Sequence, residues 1–148
     1  MVARVVDAVV LGGPVVPEGD VARESGPRSP TRRLRWSSAG HLPPLLMTPD
    51  GRVEYLLVEP GLPRGVDTAQ ARPDHSRLLA PAATVVFFTD GLVEHPDHPI
   101  DESLAELAEL AAAHATLPLP LFVQALADHR PSDGHDDTAI LALRALPS

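Results

Sequence analysis

TVVFFTDGLVEH, residues 84–95, sets an apolar run one residue away from a carboxylate. Val85, Val86, Phe87 and Phe88 are β-branched or aromatic, with no polar residue between them. A short continuous run of that kind fits a strand buried on both faces, which makes it a central strand. It ends at Thr89-Asp90-Gly91. Asp-Gly is a common turn pair, so Asp90 either closes a turn or holds a ligand at the strand end.

Working outward, the segments on either side also have strand character. RRLRWSS (32–38) alternates, with Leu34 and Trp36 on one face and Arg33, Arg35 and Ser37 on the other. Leu34 and Trp36 are expected in the core. PLLMTPDGRVEYLLVEPG (44–61) reads as a hairpin: Leu45–Met47, a Pro49-Asp50-Gly51 turn, then Val53–Val58. SRLLAP (76–81) predicts one more strand before the central one. Downstream, Leu104, Leu107, Ala108 and Ala111 recur at helical spacing and predict a helix over 100–114, with Asp101 as N-cap or first-turn acid. Pro118 or Pro120 opens a second helix through LFVQALADH (121–129). TAILALRAL (138–146) is a final strand, with Ile140, Ala142 and Arg144 opposite Leu141 and Leu143. Strands, two helices, then a strand make an α+β pattern of antiparallel sheet flanked by helices.

Composition bounds the function. The 148 residues suit one domain, and 44% hydrophobic with 22% charged residues is the balance of a globular chain. Residues 1–30 are the least determined segment: VVDAVVLGGPVV reads as a strand and turn, and PEGDVARESGPRSP as a loop. The determined domain is therefore 31–148. A net charge of −8 without a Lys/Arg stripe argues against nucleic acid as a partner. The absence of cysteine excludes disulfides and thiolate chemistry. Arg4 and Asp7 interrupt the apolar N-terminus, which argues against a secretory leader, and no uncharged apolar stretch is long enough to span a bilayer. The expectation is a cytoplasmic protein with no membrane partner.

Two acidic segments flank strands. One is Thr89-Asp90-Gly91, at the end of 84–88. The other is Gly134-His135-Asp136-Asp137-Thr138, before the last strand. If these strands pair antiparallel, Asp90 converges with Asp136 and Asp137 at one sheet edge. Gathered carboxylates repel, so such a cluster calls for a cation, and hard divalent ions prefer oxygen ligands.

From about Ser29 onward the chain resembles the C-terminal half of a metal-dependent protein phosphatase (PPM) domain, of the bacterial SpoIIE/RsbU-like subclass. The pieces that carry the resemblance are TRRLRWSSAGHLPPLL (31–46), GLPRGV (61–66), FFTDGLVE (87–94) and DDTAILALR (136–144), in that order. It implies part of a sandwich of two antiparallel sheets flanked by helices. The implied activity is hydrolysis of phosphoserine or phosphothreonine on a protein, often an anti-sigma-factor antagonist. The implied cofactor is a pair of Mn²⁺ or Mg²⁺ ions. By resemblance Asp90 and Asp136 are metal ligands, with Asp137 ranked below Asp136. Two such ions lower the pKa of a water between them and neutralise phosphoryl oxygens, so no side-chain nucleophile is needed. Gly91 would let the backbone approach the ions.

One part of the resemblance is missing. The family's G-D-V-x-G-H-G motif, whose aspartate bridges both metals, is not present. Gly19-Asp20-Val21 is followed by Ala-Arg-Glu-Ser-Gly, and residues 22–35 are too few for the elements that normally precede Trp36. The expectation is a partial domain, weak or inactive alone, or one completed by another polypeptide. The alternative is a non-catalytic pseudo-phosphatase or interaction module of a regulatory pathway. A half sandwich would also leave a sheet face uncovered and favour self-association. Secondary candidates are His135, beside Asp136, and Arg64, which the loop at 61–74 would carry toward a phosphate. His95 and His98 are expected in a solvated loop, and His41 in a turn.

Overall fold

A computed structural model of the chain describes residues 9–11, 32–38, 40–57, 75–129 and 137–145. The strands are β1 (Val9–Leu11), β2 (Arg32–Trp36), β3 (Leu45–Met47), β4 (Val53–Tyr55), β5 (His75–Leu79), β6 (Thr84–Phe88) and β7 (Ile140–Arg144). Helices α1 (Ile100–Ala113) and α2 (Leu119–Asp128) lie between β6 and β7 in the chain. The strands form two antiparallel sheets, one ordered β1-β2-β5 and the other β4-β3-β6-β7. This is the expected α+β architecture of antiparallel sheets with helices.

Three layers follow from the burial. β6 is buried at all five positions, as its continuous apolar run requires. Val85 and Phe87 face the three-stranded sheet, where they join Leu34, Trp36, Leu46, Leu79 and Ala145. Val86 and Phe88 face the helices and pack with Leu45, Met47, Leu107, Ala111, Phe122 and Leu126. β6 is thus the shared wall of two cores. The sheets are also joined by an ion pair from Arg77 on β5 to Glu54 on β4.

The hairpin turn forms as its residues dictate. The Thr48 amide donates to the Arg52 carbonyl at 2.9 Å across Pro49-Asp50-Gly51, and Gly51 takes φ +83°. A positive φ of that kind suits glycine, because a Cβ would clash with the following carbonyl. The second strand of the hairpin stops at Tyr55, short of the predicted Val58, which lies outside the described residues. Helix α1 starts after Pro99, so Asp101 is a first-turn acid and not the cap. Helix α2 likewise starts after Pro118. The outer face of the three-stranded sheet carries Arg33, Arg35, Ser76 and Leu78, by the register Arg33↔Leu78 and Arg35↔Ser76. Leu78 is 52% exposed there. Among the described residues no helix is long and apolar enough to cross a membrane.

Candidate metal site at the β6–β7 edge

β6 and β7 run antiparallel, with Phe88 opposite Ile140. The end of one strand and the start of the other therefore share an edge, and the Thr89-Asp90-Gly91 segment meets Asp137-Thr138 there. After Phe88 the chain turns at once into a single 3₁₀ turn, Asp90–Leu92. The Asp90 carbonyl accepts from the Val93 and Glu94 amides at 2.9 and 2.7 Å, and the Gly91 N–H donates to Asp90 Oδ1 at 3.2 Å. Leu92 and Val93 are buried in the helix-side core, which anchors the turn from below. Asp90 is half-buried, with its carboxylate on the rim.

Side-chain hydroxyls extend the strand pairing past its last ladder residue. Thr89 Oγ1 donates to the Asp137 carbonyl at 3.1 Å and accepts from the Ala139 amide at 2.9 Å. The Thr89 amide donates to the Ala139 carbonyl at 3.1 Å. Thr138 Oγ1 donates back to the Gly91 carbonyl at 3.1 Å. Sequence reasoning missed both threonines; the one signal available was that they stand beside the acids, in T-D-G and D-D-T. Next to Thr138, an open hollow of about 400 Å³ lies between α2 and β7, lined also by Val123, Ala127, Asp128 and Ile140.

Asp90, Gly91 and Asp137 of the sequence candidates are thus at one edge. Asp136, His135 and Arg64 lie outside the described residues, as do Gly19-Asp20-Val21. Gly91 is buried, and its carbonyl is engaged by Thr138. His95 and His98 are on the loop after the 3₁₀ turn, with ring centroids 4.5 Å apart and His95 Nδ1 accepting from the Asp97 amide at 3.1 Å. The carboxylates fit Mg²⁺ or Mn²⁺ in kind, being hard oxygen donors at a solvent-facing rim. Among the described residues no group of three or more His, Asp or Glu is placed to hold a metal ion, and Asp136 is not one of those residues.

Comparison with known proteins decides the lineage. The family profile of stage II sporulation protein E (SpoIIE) matches residues 27–146. The chain belongs to the SpoIIE family. Among solved structures, the RsbU and RsbW domains of Rv1364c from Mycobacterium tuberculosis share 34% identity, over 78% of this chain and 34% of that one, at TM-score 0.65. The PP2C phosphatase domain of SpoIIE from Bacillus subtilis, solved with a fragment of its regulatory domain, matches at 17% identity and TM-score 0.58, over 77% of this chain and 34% of that one. The phosphatase domain of Bacillus subtilis SpoIIE, presoaked with Mn, matches at 12% identity and TM-score 0.51, over 94% of this chain and 57% of that one. The SpoIIE-family chain described here therefore spans a third to just over half of the solved chains it matches. Its fold is that of a PPM-type phosphatase domain, and phosphatases of this type are metal-dependent.

Proposed function

We propose that this chain is the acid-bearing C-terminal portion of a SpoIIE-type protein phosphatase, acting on phosphoserine or phosphothreonine of a regulatory protein. The observation that supports the reading is the fastening of the T-D-G turn to the start of β7, which brings two separate acidic segments to one rim. Asp90, with Asp136 and in second place Asp137, would hold Mn²⁺ or Mg²⁺. When bound, such ions supply charge neutralisation at the phosphoryl group and a more acidic water. The chain's own residues contribute the carboxylates, their fixed backbone support, and a buried floor of Leu92 and Val93 beneath the rim. The sequence contains no bridging G-D-V-x-G-H-G aspartate, so activity of the chain alone is expected to be slow. The implied partner is a phosphoprotein of an anti-sigma or antagonist pathway; the mycobacterial relative carries RsbU and RsbW domains, in keeping with a regulatory setting. The test is phosphate release from p-nitrophenyl phosphate during titration with Mn²⁺. Slow, metal-dependent release is expected, and no release at any metal concentration would defeat the catalytic reading.

A second reading has its own observation. The sequence carries no G-D-V-x-G-H-G motif, the piece that supplies the family's metal-bridging aspartate. That favours a pseudo-phosphatase that keeps the fold and binds a regulatory partner. Such a protein would bind its partner with or without divalent ions.

A further inference from the structure

We propose that Thr89 and Thr138 are positioning residues whose hydroxyls clip the Asp90 turn to the entrance of β7, fixing the relative placement of the carboxylates that would share a cation. This rests on the phosphatase reading above. The β6–β7 ladder ends at Phe88 opposite Ile140, and the Thr89 amide still reaches the Ala139 carbonyl. Beyond that point side chains take over from the ladder. Thr89 Oγ1 closes a ring by giving its proton to the Asp137 carbonyl while receiving the Ala139 N–H. Thr138 Oγ1 closes the reciprocal ring on the Gly91 carbonyl. Each hydroxyl thus grips the backbone of a residue that is an acid (Asp137) or the immediate neighbour of one (Gly91, beside Asp90). The two strand ends come from segments 47 to 50 residues apart, with both helices between them in the chain. Chain connectivity therefore does not hold them together. Removing either hydroxyl leaves a carbonyl without its donor and frees the adjoining carboxylate to drift. Groups that orient metal ligands without touching the ion typically cost 10–100-fold in affinity when lost, by general precedent roughly the range expected here.

The experiment uses the 148-residue chain and four variants, Thr89→Ala, Thr89→Ser, Thr138→Ala and Thr138→Ser. Thr89→Val and Thr138→Val, which keep the side-chain shape, replace any alanine variant that fails to fold. Amide exchange at Ala139 is followed by NMR, and Mn²⁺ affinity by electron paramagnetic resonance of the free ion. Faster Ala139 exchange is expected in Thr89→Ala and wild-type protection in Thr89→Ser. Both alanine variants should bind Mn²⁺ about tenfold more weakly, with serine restoring the affinity. Unchanged Ala139 exchange in Thr89→Ala would overturn the clip. Faster exchange with unchanged Mn²⁺ affinity would overturn the positioning role. A wild-type chain that binds no Mn²⁺ contradicts the phosphatase reading and the positioning role with it, a failure visible before any variant is made.

Discussion

Tyr55 shows how one side chain ties layers together. It stands at the end of β4, half-buried, and its hydroxyl donates to the Leu104 carbonyl of α1 at 2.6 Å. Its ring meets Phe88 edge-on at 6.4 Å. Burial pushes the phenol well above its ordinary value of 10.0. The folded-state pKa thus exceeds the unfolded one. The stability held by the neutral phenol is fully present below pH about 10 and is lost as the pH rises from there through the folded value. Replacing Tyr55 by Phe should cost about 1 kcal/mol at neutral pH, from the lost hydrogen bond. It should also flatten the fall in stability above pH about 10. Urea melts across that range check both, and an equal alkaline fall in the two proteins would contradict the assignment. At the same scale, the place of Asp90 just past the end of a buried strand was legible in the sequence, because the apolar run stops at Phe88. The two threonine hydroxyls were harder to read, because their partners come from a segment beyond both helices.

At the scale of elements, β7 has a different job at each end. Its start carries the acidic rim. Its far end carries Arg144, opposite Thr84. The guanidinium donates to Thr84 Oγ1 and to the Leu117 carbonyl, each at 2.8 Å, and lies 6.0 Å from the Phe122 ring centroid. One residue thus joins β6, the α1–α2 connection and α2. Arg144→Ala should destabilise the fold by about 2 kcal/mol or more, since hydrogen bonds from a charged donor are lost along with the packing of its stem. Because this end is remote from Asp90, Mn²⁺ affinity should stay at the wild-type value. Thermal melts and metal titration of the variant check this, and a loss of affinity without loss of stability would contradict it. The elements themselves were largely readable: the β2 alternation, the Pro-Asp-Gly hairpin and the α1 periodicity each name their structure. Helix starts were readable from periodicity and proline and not from a capping side chain. Pro99 and Pro118 occupy the N-cap positions without a side-chain cap, so the usual Ser, Thr or Asp signal is missing.

At the scale of the whole molecule, the division of strands into two sheets was not legible. β2 and β5 pair with each other while β3 and β4, between them in sequence, join the other sheet. Local pattern reports which face of a strand is apolar, and both cores are apolar, so it cannot say which core a strand serves. The helices cover one face of the four-stranded sheet, and the three-stranded sheet covers the other. The outer face of the three-stranded sheet keeps Leu78 exposed, opposite Arg33. We expect this chain to self-associate through that face, and sedimentation that shows a clean monomer across the accessible concentration range would contradict it.

The central claim is that Asp90 belongs to a metal centre for phosphoryl chemistry in a chain of the SpoIIE family. Its most direct test is Mn²⁺-dependent phosphate release from a phosphoserine peptide, comparing the wild-type chain with Asp90→Asn, which keeps the size of the side chain and removes its charge. The prediction is slow release by the wild type that rises with Mn²⁺ and disappears in Asp90→Asn. Equal release by the two proteins, or none from the wild type at any Mn²⁺ concentration, would contradict it.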